Sequence, residues 1–146
     1  MLKKLLKYIG VFLLFLFVIL GIIANFNIYK ERIAILKGYK DKKEHVIEVW
    51  QSSANFNTYY YDERFDEKYK NYHLFKKVDD NMDSIFTILN RCNWYDFDGD
   101  VSILRNSISK EDYYYLVDQN KIDELKFRLY IYDISEHILY YFSIVE

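Results

Sequence analysis

Residues able to do chemistry are sparse in this chain, and they cluster once, at Asp96-Phe97-Asp98-Gly99-Asp100. Three carboxylates at alternating positions can converge on a hard cation such as Ca²⁺ or Mg²⁺, which takes oxygen ligands. The stretch is not an EF-hand loop. That loop needs glycine at its sixth position, where Val101 stands, and a bidentate glutamate at its twelfth, where Ser107 stands. The expectation is a solvated acidic turn, with a divalent-metal site or a hydrolase centre on Asp96, Asp98 and Asp100 as the alternative.

These residues also resemble the DxDG motif of haloacid-dehalogenase-type phosphotransferases. In that family the first aspartate ends an apolar parallel strand, whereas Asn90-Arg91-Cys92-Asn93-Trp94-Tyr95 precede Asp96, and Asp100 stands where that family has threonine. His45, His73 and His137 lie far apart and lack metal-ligand spacing, so they read as surface or turn histidines. Gly10, Gly21, Gly38 and Gly99 are scattered and build no phosphate-binding loop. Cys92 is the only cysteine, which excludes an internal disulfide and a Cys-based zinc cluster and leaves it as a small buried apolar side chain. No motif nominates a reaction, a cofactor or a small-molecule substrate, and the chain is expected not to be an enzyme.

The elements that must carry any site begin with Tyr8–Ala24, a run without a single charge. At ~1.5 Å per helical residue, the apolar stretch from Leu5 to Phe26 covers roughly 30 Å, the thickness of a bilayer's hydrocarbon core. Residues 1–26 are therefore expected to be an uncleaved transmembrane anchor. A cleavable signal would have a shorter apolar region and a small-x-small site. Three lysines (Lys3, Lys4, Lys7) precede the span and six basic residues (Lys30, Arg32, Lys37, Lys40, Lys42, Lys43) follow it. The count near the ends favours a cytoplasmic C-terminus, but a short tail with three lysines and a free amine is costly to translocate. The expected arrangement is N-terminus inside and domain extracytoplasmic.

Residues 27–44 read as a basic helical stalk, with Gly38 as its weak point and with lysines able to touch anionic headgroups. Charge then reverses. Residues 1–44 hold nine Lys and Arg against three Asp and Glu, while residues 45–146 hold eleven against nineteen. An acidic domain repels phosphate backbones, which argues against a nucleic-acid partner. With 16 Tyr and 11 Phe the chain has enough large rings to bury a core, which argues against disorder.

Residues 45–146 are expected to form one acidic, Tyr-rich α+β domain, a small antiparallel sheet with two short helices. His45–Trp50 is a β-branched strand candidate, and Tyr72–Val78 and Val101–Leu104 are weaker ones. Asp80–Cys92 places Met82, Ile85, Phe86, Leu89 and Cys92 on one helical stripe. Ser109-Lys110-Glu111-Asp112 reads as a capping box opening a second helix that buries Tyr113, Leu116 and Val117. The strongest β signal is C-terminal. Phe127–Tyr132 and Leu139–Val145 alternate, and a four-residue turn at Ile134–His137 sets Ile131 opposite Tyr140, Leu129 opposite Phe142 and Phe127 opposite Ile144. The other face then carries Tyr130, Tyr132 and Tyr141, either buried under another segment or offered to a partner.

The combination fits a membrane-tethered, non-enzymatic interaction module meeting a protein partner through its aromatic domain. A long N-terminal helix leading into a small α+β domain also resembles pilins in outline, which would imply an envelope-assembly subunit. The pilin processing-site Gly-Phe and the acidic residue early in the apolar run are absent here.

Overall fold

The computed structural model describes residues 2–49, 52–79, 82–83, 86–87, 108–117 and 127–145. The chain divides into two compact units, Met1–Lys37 and Gly38–Glu146. The first is a helix, α1 (Leu2–Leu36), of 35 residues. It runs through the apolar stretch from Leu5 to Phe26 and ten residues beyond it without a break. From Tyr8 to Leu36 it is long and apolar enough to cross a membrane. Of the two side-chain amides in α1, Asn25 and Asn27, the first is satisfied locally, since Asn25 Nδ2 donates to the Gly21 carbonyl at 3.0 Å. Beyond it Lys30 lays its ammonium 4.5 Å from the centre of the Phe26 ring.

The helical stalk ends earlier than the composition suggested. The Lys37 amide makes a last bond to the Ile33 carbonyl at 2.9 Å, and Gly38 then takes a φ of 100°. Only glycine enters that region at little cost, so Gly38 stops the helix rather than loosening it. Residues 41–44, expected in the stalk, instead begin a strand.

The second unit is a six-stranded antiparallel sheet with a short helix, as the α+β expectation required. Its strands are β1 (Asp41–Val49), β2 (Ser52–Tyr60), β3 (Lys76–Lys77), β4 (Tyr113–Val117), β5 (Phe127–Asp133) and β6 (Ile138–Val145). Their spatial order is β1-β2-β6-β5-β4-β3. A 3₁₀ turn at Glu63–Phe65 leads into helix α2 (Asp66–Asn71) between β2 and β3.

The C-terminal hairpin has the register read from alternation. Phe127 pairs with Ile144, Leu129 with Phe142, Tyr130 with Tyr141 and Ile131 with Tyr140 around the turn at residues 134–137. Two other expectations fail. Tyr113–Val117 is strand β4 rather than a helix, although the capping-box bonds do form. The Ser109 amide donates to Asp112 Oδ2 at 2.6 Å, and the Glu111 amide donates to Ser109 Oγ at 3.1 Å. Those bonds close a turn, and the Tyr-Tyr-Tyr-Leu-Val run that follows prefers the pleated surface beside β5. Residues 52–55 open β2. Of the Tyr72–Val78 candidate only Lys76 and Lys77 pair.

Met82, Asp83, Phe86 and Thr87 are helical, with Met82 and Phe86 buried and the other two exposed, in keeping with the expected stripe. The rest of Asp80–Cys92, the Val101–Leu104 strand and the Asp96, Asp98 and Asp100 turn lie outside the described residues.

Both faces of the sheet are buried at β5. Phe127, Leu129 and Ile131 share one face with Phe56 and Phe142, whose rings stack at 4.5 Å. The other face carries a ladder of tyrosines across three strands, Tyr115 to Tyr130 at 5.9 Å and Tyr130 to Tyr141 at 4.8 Å. The segment from Tyr61 to Phe75 covers this second face. Tyr69 stacks on Tyr132 at 4.0 Å, and Phe75 meets Tyr115 at 6.1 Å.

Candidate functional site

Tyr130, Tyr132 and Tyr141 retain 1, 0 and 2% of their exposure, so they lie inside the fold. Their alternation with Phe127, Leu129 and Ile131 places them on the face that α2 covers. As a partner-binding surface they are therefore corrected. Rings buried to this degree contribute packing and have no area left to give a partner. What Tyr132 does have is a polar end in a cluster that local sequence could not assemble.

Three elements build that cluster. Strand β5 aims the Tyr132 hydroxyl at helix α2, where it donates to Asp66 Oδ1 at 2.7 Å. The turn after β5 returns through His137, held at a φ of 56°, and its Nδ1 lies 3.0 Å from the same Asp66 oxygen. The β-strand and the turn thus converge on one carboxylate oxygen. Asp66 opens the first turn of α2, where a negative charge also meets the free amides of the helix. The turn is pinned a second time by the Tyr61 amide, which donates to the His137 carbonyl at 2.9 Å.

Tyr61, Tyr69 and Tyr132 form the wall behind Asp66, with Tyr61 5.5 Å from Tyr69 and 6.0 Å from Tyr132. Burial pushes all three hydroxyls far above the ordinary phenol range. Asp66 adds to this at Tyr132, and the bond between the Tyr61 and Tyr69 hydroxyls adds to it at Tyr69. Phenols so placed stay protonated at neutral pH. They serve as hydrogen-bond donors and ring surface, not as bases or nucleophiles.

The rim of the cluster is ionic. Asp62 pairs with Lys40 and, at 3.6 Å, with Arg64. The Lys40 hydrogen bond holds the Asp62 carboxyl below its usual range, helped by the charges of Lys40, Arg64 and His137. His137 remains one-third exposed beside Asp66, which keeps about a sixth of its own exposure. Among the described residues no group of three or more His, Cys, Asp or Glu side chains is arranged to hold a metal ion.

A second polar centre lies at the start of β4 and the end of β5, where the register carries Asp112 beside Asp133. Asp112 accepts two backbone amides, Ile134 at 2.9 Å and Ser109 at 2.6 Å. Asp133 Oδ1 accepts the Ser135 hydroxyl at 2.8 Å and the Glu136 amide at 3.1 Å. Its Oδ2 is buried with no hydrogen-bond partner. Burial raises the Asp112 carboxyl above its usual range, with the Asp133 charge adding to it against the pull of the two amides. Together the two aspartates tie two turns to the sheet, the one that Ser109 opens and the one at residues 134–137, which is a positioning task. Apart from the Ser109–Asp112 bond that the capping box gives, no sequence motif announced either centre. Their members are 66 to 71 residues apart around Asp66 and 22 apart between Asp112 and Ile134, and only the strand register joins them.

No family model matches the chain, and no curated protein or solved structure matches it.

Proposed function

We propose that this chain is a single-pass membrane protein that presents a small α+β domain as a non-enzymatic protein-interaction module on the extracytoplasmic side. The observation that carries the reading is α1. Its apolar residues from Tyr8 to Phe26 stay exposed around the whole helix, with no protein surface over them. Water is a poor solvent for such a rod, and a bilayer is the environment that matches its length and its composition. The basic tail of Lys3, Lys4 and Lys7 favours an inside N-terminus.

Interaction as the task of the domain is supported by how the polar centres are used. The buried tyrosines, Asp66 and Asp112 bond to one another, to His137 and to the backbone, and four residues after the helix the chain enters a nine-residue strand at the edge of the sheet. An edge strand is a standard surface for main-chain pairing. The test is fractionation of the full chain. Association with membranes that resists alkaline carbonate and yields to detergent is expected, as is digestion of residues 45–146 by protease added outside intact cells. Recovery of the full chain in the soluble fraction refutes the anchor, and protection of the domain in intact cells refutes the orientation.

A further inference from the structure

Among the described residues, strand β1 has a partner on one side only. Every residue from Asp41 to Val49 pairs with β2, and among the described residues no strand lies along the other edge. Nine residues is long for an exposed edge, which natural sheets usually shorten, bulge or guard with charge. The charges here are arranged unevenly, with Asp41, Lys42, Lys43 and Glu44 at the start and Glu48 near the end.

We propose that this edge pairs with the same edge of a second copy of the chain, antiparallel about a two-fold axis at His45, so that two sheets join into one. The inference deepens the interaction reading above and rests on it. A two-fold axis normal to the sheet keeps each face on its own side, so residues of β1 can meet only residues of the same parity. Centring on Glu44 sets two glutamates opposite each other. Centring on Val46 sets Glu44 opposite Glu48 twice. Centring on His45 pairs all nine residues and sets Lys42 of each copy opposite Glu48 of the other.

Like charges directly opposite are unfavourable and opposite charges favourable, so charge selects the His45 register. Lys42 has a local partner already in Glu44, two residues away on the same face. The lysine would then bridge two carboxylates of opposite copies. The charges that would repel an arbitrary strand thus fit this one, a specificity device that needs no apolar patch.

The test uses the full chain in detergent and reads the dimer by cross-linking and sedimentation. Lys42→Glu alone and Glu48→Lys alone should each weaken dimerisation about tenfold or more, from the two cross-strand pairs each reverses. Mixing the two variants should restore a dimer made of one chain of each, because both pairs are then complementary. The double variant carrying both changes should pair with itself again, which guards against a single variant that folds poorly. In a Cys92→Ser background, His45→Cys should form a disulfide dimer under mild oxidation and Lys43→Cys should not, since only position 45 meets itself. A wild-type chain that stays monomeric at about 100 μM overturns the proposal; at that concentration a dimer with a Kd of about 10 μM would dominate. Single variants that dimerise like the wild type, or a mixture that fails to recover, also overturn it. A chain that fractionates with membranes yet remains monomeric would sink this pairing and leave the anchor standing.

Discussion

Removing one oxygen atom tests the Asp66 cluster most directly. Tyr132→Phe keeps the ring that stacks on Tyr69 at 4.0 Å and deletes only the donor to Asp66. A hydrogen bond to a charged acceptor is worth about 1.5–3 kcal/mol. Two features place this one at the low end. Asp66 retains about a sixth of its exposure, so water can replace part of the bond, and His137 Nδ1 still meets the same oxygen at 3.0 Å, so the carboxylate is not orphaned. The expected loss is about 1.5–2 kcal/mol. For a domain of this size that lowers the melting temperature by roughly 8 °C. Tyr132→Ala removes the ring as well and should cost about 3–5 kcal/mol more than a surface change. The assay is thermal and urea unfolding of the full chain in detergent, followed by near-ultraviolet circular dichroism, which reports packed rings. If Tyr132→Phe melts within 1–2 °C of the wild type, the hydroxyl is not holding α2 to the sheet and the reasoning is wrong. If it melts as low as Tyr132→Ala, the hydroxyl carries a whole network and the pairwise magnitude is wrong.

Two further predictions follow from single residues. A Cβ added at Gly38 would overlap the Phe65 ring and force a side chain to adopt a φ of 100°, so Gly38→Ala should destabilise the domain by about 2 kcal/mol or more, and Phe65→Ala should relieve only the overlap; an unchanged urea midpoint would refute this. Burial raises the folded pKa of Asp112 above its unfolded value of about 3.9, so its contribution is complete below that pH and is lost as the pH rises through the folded value. The wild type should therefore lose stability relative to Asp112→Asn between about pH 4 and pH 7. A difference that moves the other way between urea titrations at those two pH values would show that the two amide bonds, and not burial, control the group.

How much of this was legible in the sequence depends on the distance over which each feature is encoded. Helix α1 and the β5–β6 register are local, since an uncharged run and two alternating runs around one turn leave few options. Strand β4 is local too, yet it was hidden. Ser109 and Asp112 make the hydrogen bonds of a helix start, and the side-chain pattern after them decides for a strand only once β5 is beside it. Strand β2 was hidden for a different reason. Asn57 and Thr58 are polar residues buried at its centre, so no alternation of apolar and polar residues marks it. The Asp66–Tyr132–His137 cluster had no local signal at all. A turn histidine and a helix-start aspartate are common residues, and their meeting is a product of β5 and α2 stacking through Tyr132 and Tyr69.

The order of the strands bears on how the domain is made. Strand β6, which follows the other five in sequence, lies between β2 and β5, so the β1–β2 hairpin cannot join the β3–β4–β5 half until β6 arrives. The inner edge of β2, with the rings of Phe56 and Tyr59, waits for Phe142 and Leu139, which come 86 and 80 positions later. At about 5–20 residues per second, synthesis leaves that edge open for roughly 4–17 s. During that time α1, already complete, can engage a membrane, while the hairpin it tethers remains a half-sheet. Such a chain has a built-in interval in which a chaperone or a wrong strand competes with its own C-terminus. Substitutions in β6 should accordingly raise aggregation during synthesis more than substitutions of equal equilibrium cost in β4.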